Sequence, residues 1–151
     1  MSVLQLEEGL KLIEGKAGGF FKGEISDALI EKAELFLGVK FPKSYRAFLK
    51  KKGCGNFLSK EFYGISSDEF ESGSVPNGIW LTNNERKSSD LDHSLILVGQ
   101  SMEGYYALAT SQMKDGECPV VDSIPGINPK ELEVIAPDFG TFFLNQIREV
   151  I

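Results

Sequence analysis

The residues of this chain that could do chemistry are few and scattered. A single histidine, His93, serves all 151 residues, too few for a multi-histidine zinc site and enough for only one Ser-His or Cys-His pair. Asp90 and Asp92 sit beside it, so three potential metal ligands fall within four positions. That D-x-D-H run nevertheless lacks the glycine and the distant bidentate glutamate of a calcium loop, and a solvated turn among serines explains it. Cys54 and Cys118 lie far apart and form no CxxC or zinc spacing, which predicts two reduced structural thiols rather than a disulfide framework. Neither a G-x-S-x-G elbow, a G-x-x-x-x-G-K-[ST] loop nor a dinucleotide glycine fingerprint occurs, and no two carboxylates are spaced as a pair whose environments would push their pKa values apart. The expectation is a chain that is not an enzyme and uses no metal or cofactor.

Charge narrows the choice of partner. Lys and Arg number 16 against 22 for Asp and Glu, a net charge of −6. That sign opposes direct nucleic-acid binding, which relies on basic residues displacing counterions from phosphates. It suits a basic protein partner drawn in by electrostatic steering, and it equally serves solubility. The candidate contact residues are the acidic group Asp68, Glu69 and Glu71, the lone Trp80, and Asp90 with Asp92, an aromatic anchor between charged loops. The alternative reading puts Trp80 in the core and leaves the acids to keep loops solvated. The run Lys50, Lys51, Lys52 is likewise either a contact patch or charge placed favourably at the negative end of a helix, and the second reading is preferred.

The elements that must position these residues follow from periodicity. Positions 3–14 read as an amphipathic helix and Gly15 through Gly23 as a glycine-rich loop. Ser26 suits the N-cap of a second helix with Leu29, Ile30, Ala33, Phe36 and Leu37 as its apolar stripe, stopped by Gly38. Pro42 opens a third, in which Tyr45, Phe48 and Leu49 share a face before Gly53. Phe57-Leu58 and Phe62 to Ile65 read as a first hairpin, 66–78 as an exposed loop, and Ile79 to Arg86 as a fourth helix followed by a second surface loop. Short apolar runs at 95–98, 105–109, 119–121 and 132–135 predict strands. Asp138 caps a final helix whose Phe139, Phe142, Phe143 and Ile147 are expected to pack on that sheet. Helices first, strands later and a closing helix predict one compact α+β domain spanning 1–151, with a largely antiparallel or mixed sheet. The N-terminus shows neither a signal peptide nor a membrane-length apolar run, so a cytoplasmic protein is expected.

The stretch Ile30 to Gly55, IEKAELFLGVKFPKSYRAFLKKKGCG, resembles the SUKH superfamily: Leu37-Gly38, then Pro42, Tyr45 and Phe48-Leu49, then the glycines Gly53 and Gly55. Gly64-Ile65, the Gly104 to Leu108 strand, Cys118 to Val121 and the helix from Phe139 to Phe143 follow in the order seen there. Phe41 stands where a leucine commonly precedes the proline, and Cys54 separates the paired glycines. Bacterial members look like immunity proteins, so the resemblance implies an antitoxin that neutralises a cognate toxin, commonly a nuclease domain, by stoichiometric binding. Fungal relatives imply the alternative, a regulatory or scaffolding module tied to cell-wall synthesis. No set of binding residues transfers from the family, because the contact surface is expected to change with the partner, and self-association is left open.

Overall fold

A computed structural model describes residues 2–151. Five helices and seven strands alternate unevenly along the described residues. Helix α1 (Ser2–Ile13) leads into strand β1 (Gly19–Phe21), then helices α2 (Asp27–Leu37) and α3 (Lys43–Lys52). A hairpin of β2 (Gly55–Phe57) and β3 (Lys60–Phe62) precedes helix α4 (Gly78–Ser88), the strands β4 (Leu95–Gln100), β5 (Tyr105–Ala109), β6 (Val120–Ser123) and β7 (Val134–Ala136), and helix α5 (Phe139–Arg148). The strands form two antiparallel sheets, ordered β1-β2-β3 and β4-β5-β6-β7. They meet where the Tyr63 amide donates to the Val98 carbonyl at 2.9 Å. The α+β class expected from the order of elements is the class observed.

Local signals act as their chemistry dictates. Ser26 Oγ accepts from the Leu29 amide at 3.2 Å, and Gly38 ends α2 in the left-handed region at φ 73. Asp138 caps α5 by accepting from the Thr141 amide at 2.7 Å. Helix α3 is different, because Pro42 stands at its cap position and carries no side-chain acceptor. Glu117, from the turn between β5 and β6, supplies the missing cap. Its carboxylate accepts from the Ser44 amide at 2.9 Å, the Ser44 hydroxyl at 2.9 Å and the Ser2 hydroxyl at 2.5 Å. The Gly140 amide then donates to Ser44 Oγ at 3.1 Å, so one carboxylate ties α1, α3 and α5 together. Gly140 is required there, since a Cβ would lie 1.8 Å from the Ser2 carbonyl oxygen.

A second carboxylate, this one buried, fixes the connection from α2 to α3. Glu34 is 4% exposed, accepts from the Phe41 amide at 2.7 Å and pairs with Arg46 at 2.6 Å. An uncompensated charge at that depth would cost several kcal/mol, so both partners are needed.

The core is aromatic. Phe48 of α3 lies within ring contact of Phe21, Tyr45, Phe62, Phe139 and Phe143. Helix α5 packs its aromatic face on one side of the sheet of β4 to β7 as expected, sharing a core with Ile96, Val98, Leu108, Val120 and Ala136. Phe142 touches Tyr106 of β5, at a centroid distance of 5.0 Å. Phe139 and Phe143 also meet α3 and Phe62 of β3, and the helix lies along α1. The other face of β4 to β6 forms a satellite cluster of Leu95, Leu97, Ala107, Ala109 and Val121 under Leu81 of α4 and Leu132.

Two boundaries shift for physical reasons. The segment read as a loop, Gly15 to Gly23, contains β1, a three-residue strand too short to show alternation. Its pairing with β2 is a long-range event that local composition does not encode. In the hairpin, strand β2 stops at Phe57 because Leu58 turns the chain at φ 53.

Buried protons make the fold sensitive to alkali. Burial pushes the Cys54 thiol up from 9.0 to about 11, against the opposing pull of Lys22. Burial and then Glu117 push Cys118 up to about 12. Tyr63 rises to about 12 through burial and then Glu61 and Tyr105, and burial raises Tyr45 further. The unfolded chain releases these protons first, so stability present below about pH 9 is lost as pH rises through the folded values. Urea unfolding as a function of pH is expected to show this fall, and Cys54→Ala with Cys118→Ala to reduce its slope. Separately, the Tyr45 hydroxyl donates to the Tyr63 carbonyl at 2.9 Å in the core. Tyr45→Phe leaves that carbonyl unpaired and is expected to cost about 1–3 kcal/mol by the same measurement.

Candidate interaction surface

Helix α4 organises the one face of the four-stranded sheet that α5 does not reach. Asn77 Oδ1 starts it by accepting from the Ile79 and Trp80 amides, both at 3.1 Å. Gly78 lets it close on the sheet, because a Cβ there would stand 2.9 Å from the Leu97 carbonyl. Thr82 Oγ1 then accepts from the Leu97 amide at 3.0 Å, replacing a strand neighbour that β4 lacks on that side. Leu81 is buried on the satellite cluster, and Glu85, one turn later, follows it on the same face.

Arg86 locks the far end of α4. Its guanidinium donates to the Leu37 carbonyl at 2.8 Å and to the His93 carbonyl at 2.7 Å, joining the C-terminus of α2 to the loop that leads into β4. Burial lowers its pKa from the ordinary arginine value, with Asp92 opposing. Only its main-chain carbonyl is used at His93; the residue is exposed.

Between that loop and the 123–129 segment lies a cleft of ≈ 580 Å³. Leu91, Leu95 and Tyr105 form one apolar wall, and Ile124, Pro125, Ile127 and Pro129 form the other. Glu85, Asp90 and Asp92 stand on its rim, and no Lys, Arg or His lines it among the described residues. Asp92 accepts from the Ser94 hydroxyl at 2.6 Å and the Ser94 amide at 2.9 Å. Those bonds, the side-chain one first, hold its carboxyl below the usual range, so it stays ionised in mild acid. Burial and then the neighbouring Glu85 raise the Tyr105 phenol, which keeps it a neutral hydrogen-bonding group on the apolar floor. A cationic side chain with an apolar stem or neighbour meets both halves of this site.

The candidate residues read from the sequence do not form one constellation. Asp90 and Asp92 reach the cleft. Asp68, Glu69 and Glu71 lie before the other end of α4, and eleven helical residues separate the two loops by about 16 Å at 1.5 Å per residue. Asp68 pairs with Lys32 at 3.8 Å, both well exposed, and Glu69 and Glu71 are exposed. Trp80 is half-buried: it packs over Gly73 on one side and against the satellite cluster on the other. Glu85, Tyr105, Ile124 and Ile127 were missed. Glu85 alone carried a usable signal, its i, i+4 spacing from Leu81; the wall at 124–127 depends on how two loops meet. No group of three or more His, Cys, Asp and Glu with metal-holding geometry exists among the described residues, and no helix there is long and apolar enough to cross a membrane.

A family model described as SMI1-KNR4 cell-wall, SUKH_6, matches residues 27–143. The matched region opens at the first residue of α2 and closes inside α5. It therefore contains α4 and both walls of the cleft, while α1 and β1 precede it.

Arg86→Lys keeps the charge but cannot span two carbonyls. The substitution is expected to cost about 1–2 kcal/mol in urea unfolding. Amide exchange should quicken at Leu91 and Leu95, whose amides donate to Glu85 and Asp92 carbonyls within the clamped loop.

Proposed function

This chain belongs to the SUKH superfamily through its SMI1-KNR4 family match, and from that premise we propose that it is a non-catalytic immunity protein that binds a cognate toxin one-to-one and blocks it. The observation carrying this reading is the cleft, which Glu85, Asp90 and Asp92 line beside apolar side chains and no cationic side chain lines among the described residues. A nuclease toxin fits that chemistry. Its own active site must present basic residues to phosphates, and a carboxylate-rimmed surface offers those residues an alternative partner. The net charge of −6 adds long-range attraction toward a basic domain, screened beyond about 8 Å at physiological salt. Asp92, held ionised by Ser94, keeps part of the rim charge when the medium turns mildly acid.

The second reading is a regulatory or scaffolding module, and the cell-wall wording of the matched family favours it. Both readings use the domain as a protein-binding surface and differ in what occupies it. The deciding experiment is a search of the neighbouring genes for a large toxin-like protein, followed by co-expression of this chain with that protein's C-terminal domain; a neighbourhood of cell-wall genes with no such protein supports the regulatory module. Growth rescue together with a one-to-one complex supports immunity, whereas full toxicity without a complex moves the regulatory module to first place.

Within such a complex the two acidic loops are separable. Glu85→Lys with Asp90→Asn is expected to slow association about tenfold and to flatten its salt dependence, read by stopped-flow. Asp68→Lys with Glu69→Lys should leave the rate nearly unchanged. The reverse pattern would put the contact on the loop before α4.

A further inference from the structure

Two places in the chain put Asp or Asn directly before glycine, Asn77-Gly78 and Asp115-Gly116. Such a pair can close on itself, because glycine has no Cβ to hinder the approach. The glycine nitrogen bonds to the side-chain carbonyl carbon and a cyclic imide forms. From Asp the hydroxyl of the protonated carboxyl leaves as water; from Asn the amide nitrogen leaves as ammonia. Water then opens the imide, and opening at the main-chain carbonyl leaves isoaspartate, in which the backbone runs through the former side chain. In unfolded peptides Asn-Gly reacts much faster than Asp-Gly.

The fold locks the faster pair. Asn77 is 2% exposed, and its Oδ1 accepts from the Ile79 and Trp80 amides. The nucleophile is occupied as well, since the Gly78 amide donates to the Gly64 carbonyl at 2.7 Å. Gly78 is also pressed against the Leu97 carbonyl, so moving this peptide means lifting the start of α4 off the sheet.

The slower pair is left free to move. Asp115 and Gly116 are the two central residues of the turn closed by the Lys114 amide on the Glu117 carbonyl at 2.7 Å and the return bond at 3.1 Å. Both have positive φ, 54 and 82, the primed-turn conformation that Asp-Gly favours. Asp115 is exposed and in no ion pair, and the Gly116 amide donates to no acceptor among the described residues. Swinging the peptide between them breaks only the bonds of the turn and the one from the Lys43 amide to the Gly116 carbonyl at 2.8 Å.

We propose that Asp115-Gly116 is a self-modification site, where the folded protein converts Asp115 to isoaspartate and thereby uncaps α3. The added backbone carbon cannot fit a two-residue turn that keeps both closing bonds. It displaces the Gly116 carbonyl from the Lys43 amide and the Glu117 carboxylate from the Ser44 amide, the two main-chain contacts this turn makes with the start of α3. Neither residue of the pair lines the acidic cleft, so the site is independent of the immunity reading.

Long incubation of the whole chain in neutral buffer at physiological temperature tests this, read by peptide mapping with mass spectrometry. Isoaspartate is expected at Asp115, at unchanged mass and altered retention, while Asn77 stays intact. Asp115→Asn sharpens the comparison, because both sites are then Asn-Gly and differ only in their surroundings. In the folded variant position 115 is expected to deamidate at least about tenfold faster than Asn77, and in urea the two rates should converge. The deamidated fraction, separable by its added negative charge and mainly isoaspartate, should exchange the Lys43 and Ser44 amides about tenfold faster than the intact fraction. The proposal is overturned by a folded variant in which Asn77 deamidates as fast as position 115. It is overturned equally by a wild-type chain that stays unmodified at Asp115 while a peptide of residues 112–119 converts. Unchanged exchange at Lys43 and Ser44 removes the link to α3.

Discussion

Phe48 is the contact on which the rest of the molecule is assembled. It projects from the short helix α3 into rings contributed by β1, α3 itself, β3 and α5, so both ends of the chain and the first sheet close on one side chain. Aromatic pairs of this kind add about 0.5–1.5 kcal/mol each beyond simple burial, and they are directional. The helix bearing Phe48 must therefore be held in one pose. Two carboxylates provide that restraint: Glu34 on the approach to α3, and Glu117 at the cap position that Pro42 leaves without an acceptor. Each reaches main-chain amides as well as side chains, which makes the pose of α3 a property of the whole core and not of its ten residues alone.

Carboxylates thus have two separate jobs in this protein. Those beneath the surface cap and cross-brace, and their charge is consumed by near neighbours. Those on the rim of the cleft face solvent, beside an apolar floor that the sheet and α4 hold rigid from behind. The proposed binding role draws on the second group, which sets carboxylates beside apolar side chains as interface rims and cores do. The cysteines belong with the first group. Both are buried and free, their thiols kept protonated by the core around them.

Much of this architecture was legible because local and global preferences agree. Ser26, Gly38 and Asp138 act at the helix boundaries where their chemistry places them, and the Tyr45, Phe48, Leu49 spacing does point one face of α3 inward. What escaped notice depends on partners distant in sequence. Strand β1 exists because β2 lies beside it, and Glu117 becomes a helix cap only after the β5–β6 turn folds against α3. The candidate site divides along the same line. Asp90 and Asp92 were visible as an acidic loop, but their apolar floor is brought to them by the 123–129 segment, and the acids before α4 are held apart from them by the length of that helix.

The clamp made by Arg86 has a consequence for how such a protein changes over generations. Arg86 grips carbonyl oxygens, which every amino acid presents, and reads nothing of the side chains at positions 37 and 93. The loop between α4 and β4 is thereby anchored at His93 whatever side chain stands there. Substitutions at exposed His93 leave that grip intact, whereas Asp90 at φ 53 and Leu91 against the satellite cluster are held by the fold.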